Sequence, residues 1–376
     1  MKPGRKLIPV VRPSLPPLAE IKAELAHIWE SGQVTTAEYT RRFEQQIAAR
    51  LGVNYAVALA NCTSGLILAL KSLNISGEVI VPSFTFAASV HAVVWAGCTP
   101  VFCDSEPETY NLDLSQVEGL VGENTAALMP VYTYGLPPDI DALAKLAERY
   151  GLPLVYDAAQ ALGAKYKERW AGGNGCCEVF SLSPSKAVSA IEGGLLTTND
   201  AELAMKIRKM RDYGKGEEGG DMEFVGLSAR MSELHAVVGL KNLERIDQLI
   251  AKRHQLISLY KRELADLPGI TFQNIPAYRQ PSGNYLVIFV DARGNFSRDY
   301  LFNALRDKGV ETKRYFCPPV HLQSAYRGYR ARYQGRLPVA ESAASRCLAL
   351  PLYADLSQAT VKYICRLIKE AAHQAG

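Results

Sequence analysis

Short apolar runs alternate with helix-like segments between about residues 16 and 200, and this alternation constrains the fold more than any other feature. Helical periodicity separates the runs at 63–72, 87–96, 139–150 and 115–120. Such alternation is typical of a mostly parallel sheet with helices on both faces. We therefore predict an α/β fold whose seven-stranded sheet is mostly parallel, with its last two strands antiparallel around 192–194. The predicted strands are Tyr55–Leu59, Glu78–Val81, Pro100–Cys103, Ala126–Val131, Leu152–Tyr156, Val179–Leu182 and Leu195–Thr198.

A second pattern follows residue 231 and predicts a smaller C-terminal α/β domain. One long helical stretch runs from 231 to 267 and ends at Pro268–Gly269. The 376 residues are enough for two domains, and we place the boundary near residue 255, giving domains 1–255 and 256–376. The predicted elements of the second domain are strands 270–273, 285–291 and 310–314 and helices 298–308 and 356–372.

Composition excludes several classes of partner. The net charge of +4 is too small to favour nucleic acid. No apolar run reaches the roughly 20 residues that span a bilayer, and the basic N-terminal segment is broken by prolines, unlike a signal peptide. The eight cysteines form no CxxC pair and show no zinc spacing, so we expect no metal site and a reduced, cytoplasmic protein.

Three clusters contain residues suited to chemistry. The segment 60–65 lies between a strand and a helix, where free amides and the hydroxyls of Thr63 and Ser64 suit a phosphate, although Asn61 or Thr63 would also serve as a plain helix cap. Asp157 ends an apolar strand, at the sheet edge where ligands bind, and would equally cap the next helix. Lys186 follows Pro184 in an apolar segment, where a desolvated lysine becomes a nucleophile; an isolated lysine is more often a surface residue.

The three clusters together change the interpretation of each. A phosphate-binding helix start, an acid at a strand end and a lysine after a later strand are the parts that hold pyridoxal phosphate. The acid would keep the pyridine nitrogen protonated, and the lysine would form a Schiff base with the aldehyde.

Ordered motifs along nearly the whole chain extend this pattern, and with them the sequence resembles the DegT/StrS-type family of pyridoxal-phosphate-dependent sugar aminotransferases. The resemblance implies the aspartate aminotransferase architecture, fold type I. The motifs are VPSFTFAAS (81–89), MPVYTYGLPPDIDAL (129–143), VYDAAQALGA (155–164), EVFSLSPSK (178–186), EGGLLTTND (192–200), ARMSELHAVVGL (229–240) and ETKRYFCPPVHLQSAY (311–326).

The resemblance implies a role for each matching residue. Lys186 is expected to be the catalytic Schiff-base lysine and the proton carrier, and Asp157 to pair with the pyridinium nitrogen. Gln160 and Phe86 would enclose the ring. The remaining positions are Thr63, Ser64 and Ser181 for the phosphate, Ser228 for the phosphate of the partner subunit, and Tyr315 and His321 for the substrate.

The sequence departs from the family pattern at three positions. Cys62 replaces the usual glycine before the phosphate-binding threonine, and Ser228 replaces the asparagine that reaches across a homodimer. Tyr132 stands where many relatives have histidine, and we expect an influence on substrate choice. Glu233 matches the family too, and a surface ion pair is its simplest interpretation.

The implied reaction is a ping-pong transamination. An amino acid, with glutamate expected, would convert pyridoxal phosphate to pyridoxamine phosphate, and the amine would then pass to a ketone on a nucleotide-linked deoxysugar. Retention of Lys186 argues against the dehydrase branch, in which histidine replaces it. The alternatives are a cyclitol ketone as acceptor, another pyridoxal phosphate reaction such as dehydration, and a non-catalytic sugar-nucleotide binder that keeps the fold.

Overall fold

A computed structural model describes residues 7–216 and 220–375. The described residues contain all seven strands predicted for the large sheet, each within three residues of its predicted ends. The strands are β1 (Tyr55–Leu59), β2 (Glu78–Pro82), β3 (Thr99–Cys103), β4 (Thr125–Leu128), β5 (Val155–Asp157), β6 (Lys165–Tyr166), β7 (Arg169–Trp170), β8 (Cys177–Ser181), β9 (Gly194–Thr198), β10 (Ile270–Phe272), β11 (Arg279–Gln280), β12 (Leu286–Val290) and β13 (Cys347–Leu350).

Helices cover the sheet and form several of the connections between its strands. Three of them, α5 (Leu114–Leu120), α6 (Ile140–Tyr150) and α7 (Ala201–Met210), follow an aspartate whose side chain accepts first-turn N–H groups. The helices are α1 (Lys22–Ser31), α2 (Glu38–Leu51), α3 (Cys62–Ser72), α4 (Ala87–Trp95), α5 (Leu114–Leu120), α6 (Ile140–Tyr150), α7 (Ala201–Met210), α8 (Glu233–Glu244), α9 (Ile246–Glu263), α10 (Arg298–Asp307), α11 (Arg330–Tyr333), α12 (Pro338–Arg346) and α13 (Gln358–Ala375).

The large sheet has the order β3-β2-β4-β5-β8-β9-β1. Single parallel bridges, Leu128 to Leu154 and Val131 to Asp157, join its two halves. Strand β9 runs antiparallel to both β8 and β1, and the other pairings are parallel. The prediction of a mostly parallel sheet with an antiparallel final pair is therefore confirmed.

Apolar side chains pack on both faces of this sheet, which explains why its strands are continuous apolar runs. One core cluster joins the sheet to α1, α2, α6 and α8. The other joins it to α3, α4 and α7 and extends to α12. The two layers leave the carboxyl edge of the parallel strands open to the smaller unit.

The smaller unit is an antiparallel sheet, in the order β10-β12-β13, covered by α9, α10 and α13. The prediction of a strand at 310–314 is wrong. That segment makes only single bridges, Val310 to Ile8 and Lys313 to Ala349 of β13, so it pairs with two different segments and follows neither of them as a strand. Its polar side chains form ion pairs instead, Lys313 with Glu311 and Arg314 with Asp299.

The single helix predicted from 231 to 267 is two helices, since α8 ends and α9 begins around Arg245. The guanidinium of Arg245 donates to Asn242 Oδ1 at 2.8 and 3.2 Å. The predicted domain boundary at 255 falls inside α9. Ile250 packs in the core of the large unit and Leu256 in that of the smaller one, and the boundary stays a prediction.

Candidate active site

The carboxyl ends of β1, β5 and β8 open into a cavity of about 320 Å³, where the smaller unit closes over the large sheet. Open α/β sheets bind ligands at this edge. Most of the predicted site residues line the cavity together. They are Thr63, Phe86, Asp157, Gln160, Ser181, Lys186 and Tyr315.

The start of α3 forms one wall. Asn61 caps the helix, as the simpler interpretation held: its Oδ1 accepts the Ser64 N–H at 2.8 Å. The other first-turn N–H groups have no helix carbonyl to bind, and the positive end of the helix dipole lies with them. Gly194 of β9 lets this helix approach closely, because a Cβ there would lie 2.3 Å from the Asn61 carbonyl carbon. The wall therefore suits an anion.

Asp157 ends β5 and is held from the protein side. Its Oδ2 accepts from Ser89 Oγ at 2.5 Å and its Oδ1 from the Ala159 N–H at 3.0 Å. The side chain is buried, which raises the pKa of the carboxyl above its ordinary value, while the Ser89 and Ala159 hydrogen bonds and Lys186 act in the opposite direction. The second lone pairs of the carboxylate remain available to the cavity.

Lys186 follows β8 on a loop fixed at both sides. Its own N–H donates to the Ser183 carbonyl at 3.0 Å, and the next N–H, of Ala187, donates to Asn284 Oδ1 at 2.7 Å. The ammonium lies 5.8 Å from the ring centroid of Tyr285, which belongs to the segment just before β12. The smaller unit thus reaches the lysine through Asn284 and Tyr285.

Gln160, Phe86 and Tyr315 complete the cavity. Oε1 of Gln160 is buried and has no hydrogen-bond partner in the described structure. The Phe86 ring is 59% exposed, which is unusual for phenylalanine and leaves its face open to a ligand. Burial raises the pKa of the Tyr315 hydroxyl to about 12, so it is a neutral donor at physiological pH.

Three predicted site residues lie outside this cavity. Ser64 donates its hydroxyl back to the Asn61 carbonyl at 2.9 Å. Ser228 is exposed, in the segment that follows residue 220. His321 is fully buried, with Nδ1 at 2.5 Å from Ser83 Oγ and Nε2 at 3.2 Å from Glu341, so both ring nitrogens have protein partners.

The three further positions noted in the sequence are also placed. Tyr132 turns its ring into the core, where its hydroxyl donates to Glu178 at 2.9 Å. Cys62 lines the cavity, and it donates its thiol to the Val179 carbonyl at 3.5 Å, which directs the sulfur towards the sheet. The expectation of a surface ion pair for Glu233 is wrong: the side chain is 1% exposed and accepts the N–H groups of residues 37, 39 and 40 at the start of α2.

Sequence reasoning missed Ser89, Tyr285, Phe316 and Glu192, of which the last three line the cavity. Glu192 lay within a quoted motif, next to the glycines 193 and 194, and its charge in an otherwise apolar segment was a usable signal. Tyr285 and Phe316 belong to the smaller unit. Their approach to Lys186 depends on how the two units pack, which local patterns do not show.

Across residues 7–216 and 220–375, no group of three or more His, Cys, Asp or Glu side chains could hold a metal ion. All eight cysteines are free. None of the helices in the described ranges is long and apolar enough to cross a membrane.

Comparisons with known proteins give consistent results. The profile of the DegT/DnrJ/EryC1/StrS aminotransferase family matches residues 18–369. The dTDP-4-amino-4,6-dideoxy-D-glucose transaminase of Escherichia coli is 34% identical over 369 residues, covering 96% of this chain and 98% of that protein.

Two solved structures share both fold and sequence. DesI, crystallised in the presence of its TDP-sugar product, superposes with a TM-score of 0.92 at 36% identity, covering 98% of this chain and 93% of DesI. DesV of S. venezuelae, in complex with a ketimine intermediate, gives a TM-score of 0.88 at 34% identity, with coverages of 96% and 99%.

Proposed function

Because the chain belongs to the DegT/DnrJ/EryC1/StrS aminotransferase family, we propose that it moves an amino group from an amino acid to the ketone of a nucleotide-linked sugar, using pyridoxal phosphate. One observation supports this most directly. A single cavity brings together the amine of Lys186, the carboxylate of Asp157 and the start of α3.

The cavity residues fit pyridoxal phosphate. The amine of Lys186 suits an aldehyde, and the Asp157 carboxylate suits a ring nitrogen that bears a proton. The α3 amides, with the hydroxyls of Thr63 and Ser181, suit a phosphate. The unpartnered buried oxygen of Gln160 and the open face of Phe86 are both accounted for by a bound polar ring.

When bound, pyridoxal phosphate supplies an electron sink for the carbon next to the amine. The side chains of this protein provide the rest. Lys186 acts as the nucleophile and then moves a proton at the reacting carbon through its Nζ, and Asp157 holds a proton on the ring nitrogen. Phe86 and Gln160 orient the ring, Thr63 and Ser181 bind the phosphate, and Tyr315 offers a neutral hydroxyl to the substrate.

The substrate class rests on the relatives and on the space beside the site. The E. coli relative is named for a dTDP-sugar and DesI was solved with its TDP-sugar product, which supports a nucleotide-linked sugar here. A second cavity of about 420 Å³ shares Phe86, Tyr315 and Phe316 with the first and adds Lys313 and Arg314. Two cations next to the reacting centre suit a diphosphate, which would share them with their carboxylate partners Glu311 and Asp299.

A homodimer is part of the proposal. Ser228 is exposed and lies outside the cavity of its own chain. The segment before it presents apolar side chains to solvent, including Val225 at 90% and Met222 at 53% exposure. A second copy that covers such side chains would bury this segment, and we propose that Ser228 then lies near the partner's phosphate site. We also propose a cytoplasmic location, because eight free cysteines suit a reducing compartment.

The test follows the visible absorption of the purified protein after addition of pyridoxal phosphate and then of glutamate. The proposal expects a protein-bound band that glutamate removes and that a nucleotide-linked keto-sugar restores. Restoration by a cyclitol ketone instead would change the substrate class. A band that disappears while keto product forms without an amino donor would indicate dehydration, and no band at all would leave a non-catalytic binder.

A further inference from the structure

Three buried side-chain oxygens form a hydrogen-bonded chain at the wall of the cavity. Thr85 Oγ1 lies 2.8 Å from Ser89 Oγ, which lies 2.5 Å from Asp157 Oδ2. Thr85 and Ser89 are each 1% exposed and Asp157 is 4% exposed. Thr85 lies just before α4 and Ser89 in its first turn, whereas Asp157 ends β5, so the chain links two elements across the site.

The single hydroxyl hydrogen of Ser89 has to choose among its neighbours. Besides Asp157 and Thr85, the Phe86 carbonyl lies 3.2 Å from Ser89 Oγ. When Asp157 is ionised it only accepts, so Ser89 donates to it and receives the hydrogen of Thr85. When Asp157 is protonated the direction reverses, and Ser89 turns to the Phe86 carbonyl or to Thr85. The direction in which these three oxygens donate their hydrogen bonds therefore depends on the charge of the carboxylate.

We propose that Ser89, supported by Thr85, is a positioning residue that holds Asp157 as an ionised acceptor, with its free lone pairs directed to the cavity. This inference rests on the proposed function, in which Asp157 meets the ring nitrogen of the cofactor. Hydrogen bonds to a charged acceptor are about twice as strong as neutral ones, and a buried carboxylate without them would take up a proton.

The other groups around Asp157 leave this task to Ser89. From the loop after β8, Lys186 faces it as a cation, and from α3, Cys62 faces it as a buried thiol whose pKa is raised well above its ordinary value, chiefly by desolvation. Ala159 contributes one backbone N–H, and the Tyr132 N–H binds the main-chain carbonyl of Asp157 at 3.0 Å. In the proposed function Lys186 also has to react with the aldehyde of the cofactor. Ser89 is therefore the side-chain donor that can stay hydrogen-bonded to Asp157 throughout the reaction.

A purely structural role for Ser89 makes a different prediction. Serine hydroxyls in helices often bond a carbonyl three or four residues earlier, as Ser89 does with Phe86. In that case removal of the hydroxyl would change stability but not the titration of Asp157. The two roles separate when pH is varied.

The experiment compares the wild type with S89A, S89T and T85V as full-length protein. The first readout is the side-chain carboxyl ¹³C signal of Asp157 without cofactor, assigned by its loss in D157N. The second is the affinity for pyridoxal phosphate between pH 6 and pH 8. Thermal unfolding of each variant verifies that it is folded.

We expect S89A to move the titration of Asp157 to higher pH and to weaken cofactor binding about tenfold at pH 6, with a smaller loss at pH 8. S89T keeps the hydroxyl and should restore both readouts, and T85V should move them in the same direction by less. An unchanged titration in S89A, or a loss of affinity equal at all pH values, overturns the proposal. If the wild type binds no pyridoxal phosphate, the proposed function fails, while the cofactor-free titration still decides the role of Ser89.

Discussion

At the scale of single residues, Lys186 is the group whose removal has the clearest expected effect. Lys186→Ala should still bind pyridoxal phosphate through the phosphate and ring contacts, but it should lose turnover by at least about a thousandfold, since one residue acts as nucleophile and proton carrier. Turnover is measured as the formation of amino-sugar from glutamate and a keto-sugar. The exposed Lys252 provides the control, and K252A should retain wild-type turnover. Appreciable activity in K186A would remove Lys186 from the chemistry.

For Cys62, in contrast to Lys186, we expect a substitution to have little effect, because the structure already accommodates its side chain. It is 7% exposed, its thiol is bound to the Val179 carbonyl, and desolvation raises its pKa well above the ordinary value. Cys62→Ala should therefore change the affinity for pyridoxal phosphate by less than about twofold, a difference under 0.5 kcal/mol. Equilibrium titration with the cofactor measures it. A tenfold tighter complex would show that the sulfur does crowd the phosphate site.

These residues also show how far a sequence predicts a site. Thr63, Asp157 and Lys186 each end or follow an apolar strand, and strand ends meet at one edge, so their proximity was predictable. The direction of a side chain was not. Tyr132, which lies beyond the end of β4, has a backbone N–H bound to Asp157 and a ring packed in the core, and no local pattern shows whether a side chain at this edge enters the core or the cavity.

At the scale of elements, Glu233 fixes the start of α2. From α8 its carboxylate accepts three N–H groups, those of Ala37, Tyr39 and Thr40, at 2.6 to 2.9 Å. Glu233→Ala should lower the free energy of unfolding by about 3 kcal/mol, because it leaves buried donors unpaired. Urea denaturation measures this loss. Glu244, at the end of the same helix and exposed, is the matched control, and E244A should stay within about 0.5 kcal/mol of the wild type.

Strand β13 was not predicted and the segment 310–314 was wrongly predicted as a strand, and the two errors have a common cause. Strand β13 is only four residues long and follows α12 without a turn, so neither alternation nor a loop signal marks it. The segment 310–314 has a suitable composition, but it bridges Ile8 at one end and Ala349 of β13 at the other, so it follows neither partner as a strand. Strand formation in the smaller unit is decided by which segments lie alongside each other in register, and that is a property of packing.

At the scale of the whole molecule, the two units are joined next to the loop that carries Lys186. Arg253 of α9 is fully buried, and its guanidinium lies 3.3 to 3.4 Å from the carbonyls of Gly283, Asn284 and Leu352. Burial lowers its pKa to about 10, so it remains a cation. These contacts fix Asn284, whose Oδ1 accepts the Ala187 N–H next to Lys186. The position of the smaller unit is thereby transmitted to the lysine loop.

This link makes Asn284 a test of whether the packing of the two units supports catalysis. Asn284→Ala leaves the buried Ala187 N–H without an acceptor, so the lysine loop should shift. We expect kcat to fall about tenfold, because a small displacement of a catalytic group is costly, while KM for glutamate changes little. Asn284→Asp keeps an acceptor at Oδ1 and should recover most of kcat. Steady-state kinetics with both variants, beside their thermal unfolding, separates this outcome from a general loss of folded protein. If N284A and N284D lose activity equally and in proportion to their stability, Asn284 only holds the fold together and the smaller unit does not position Lys186.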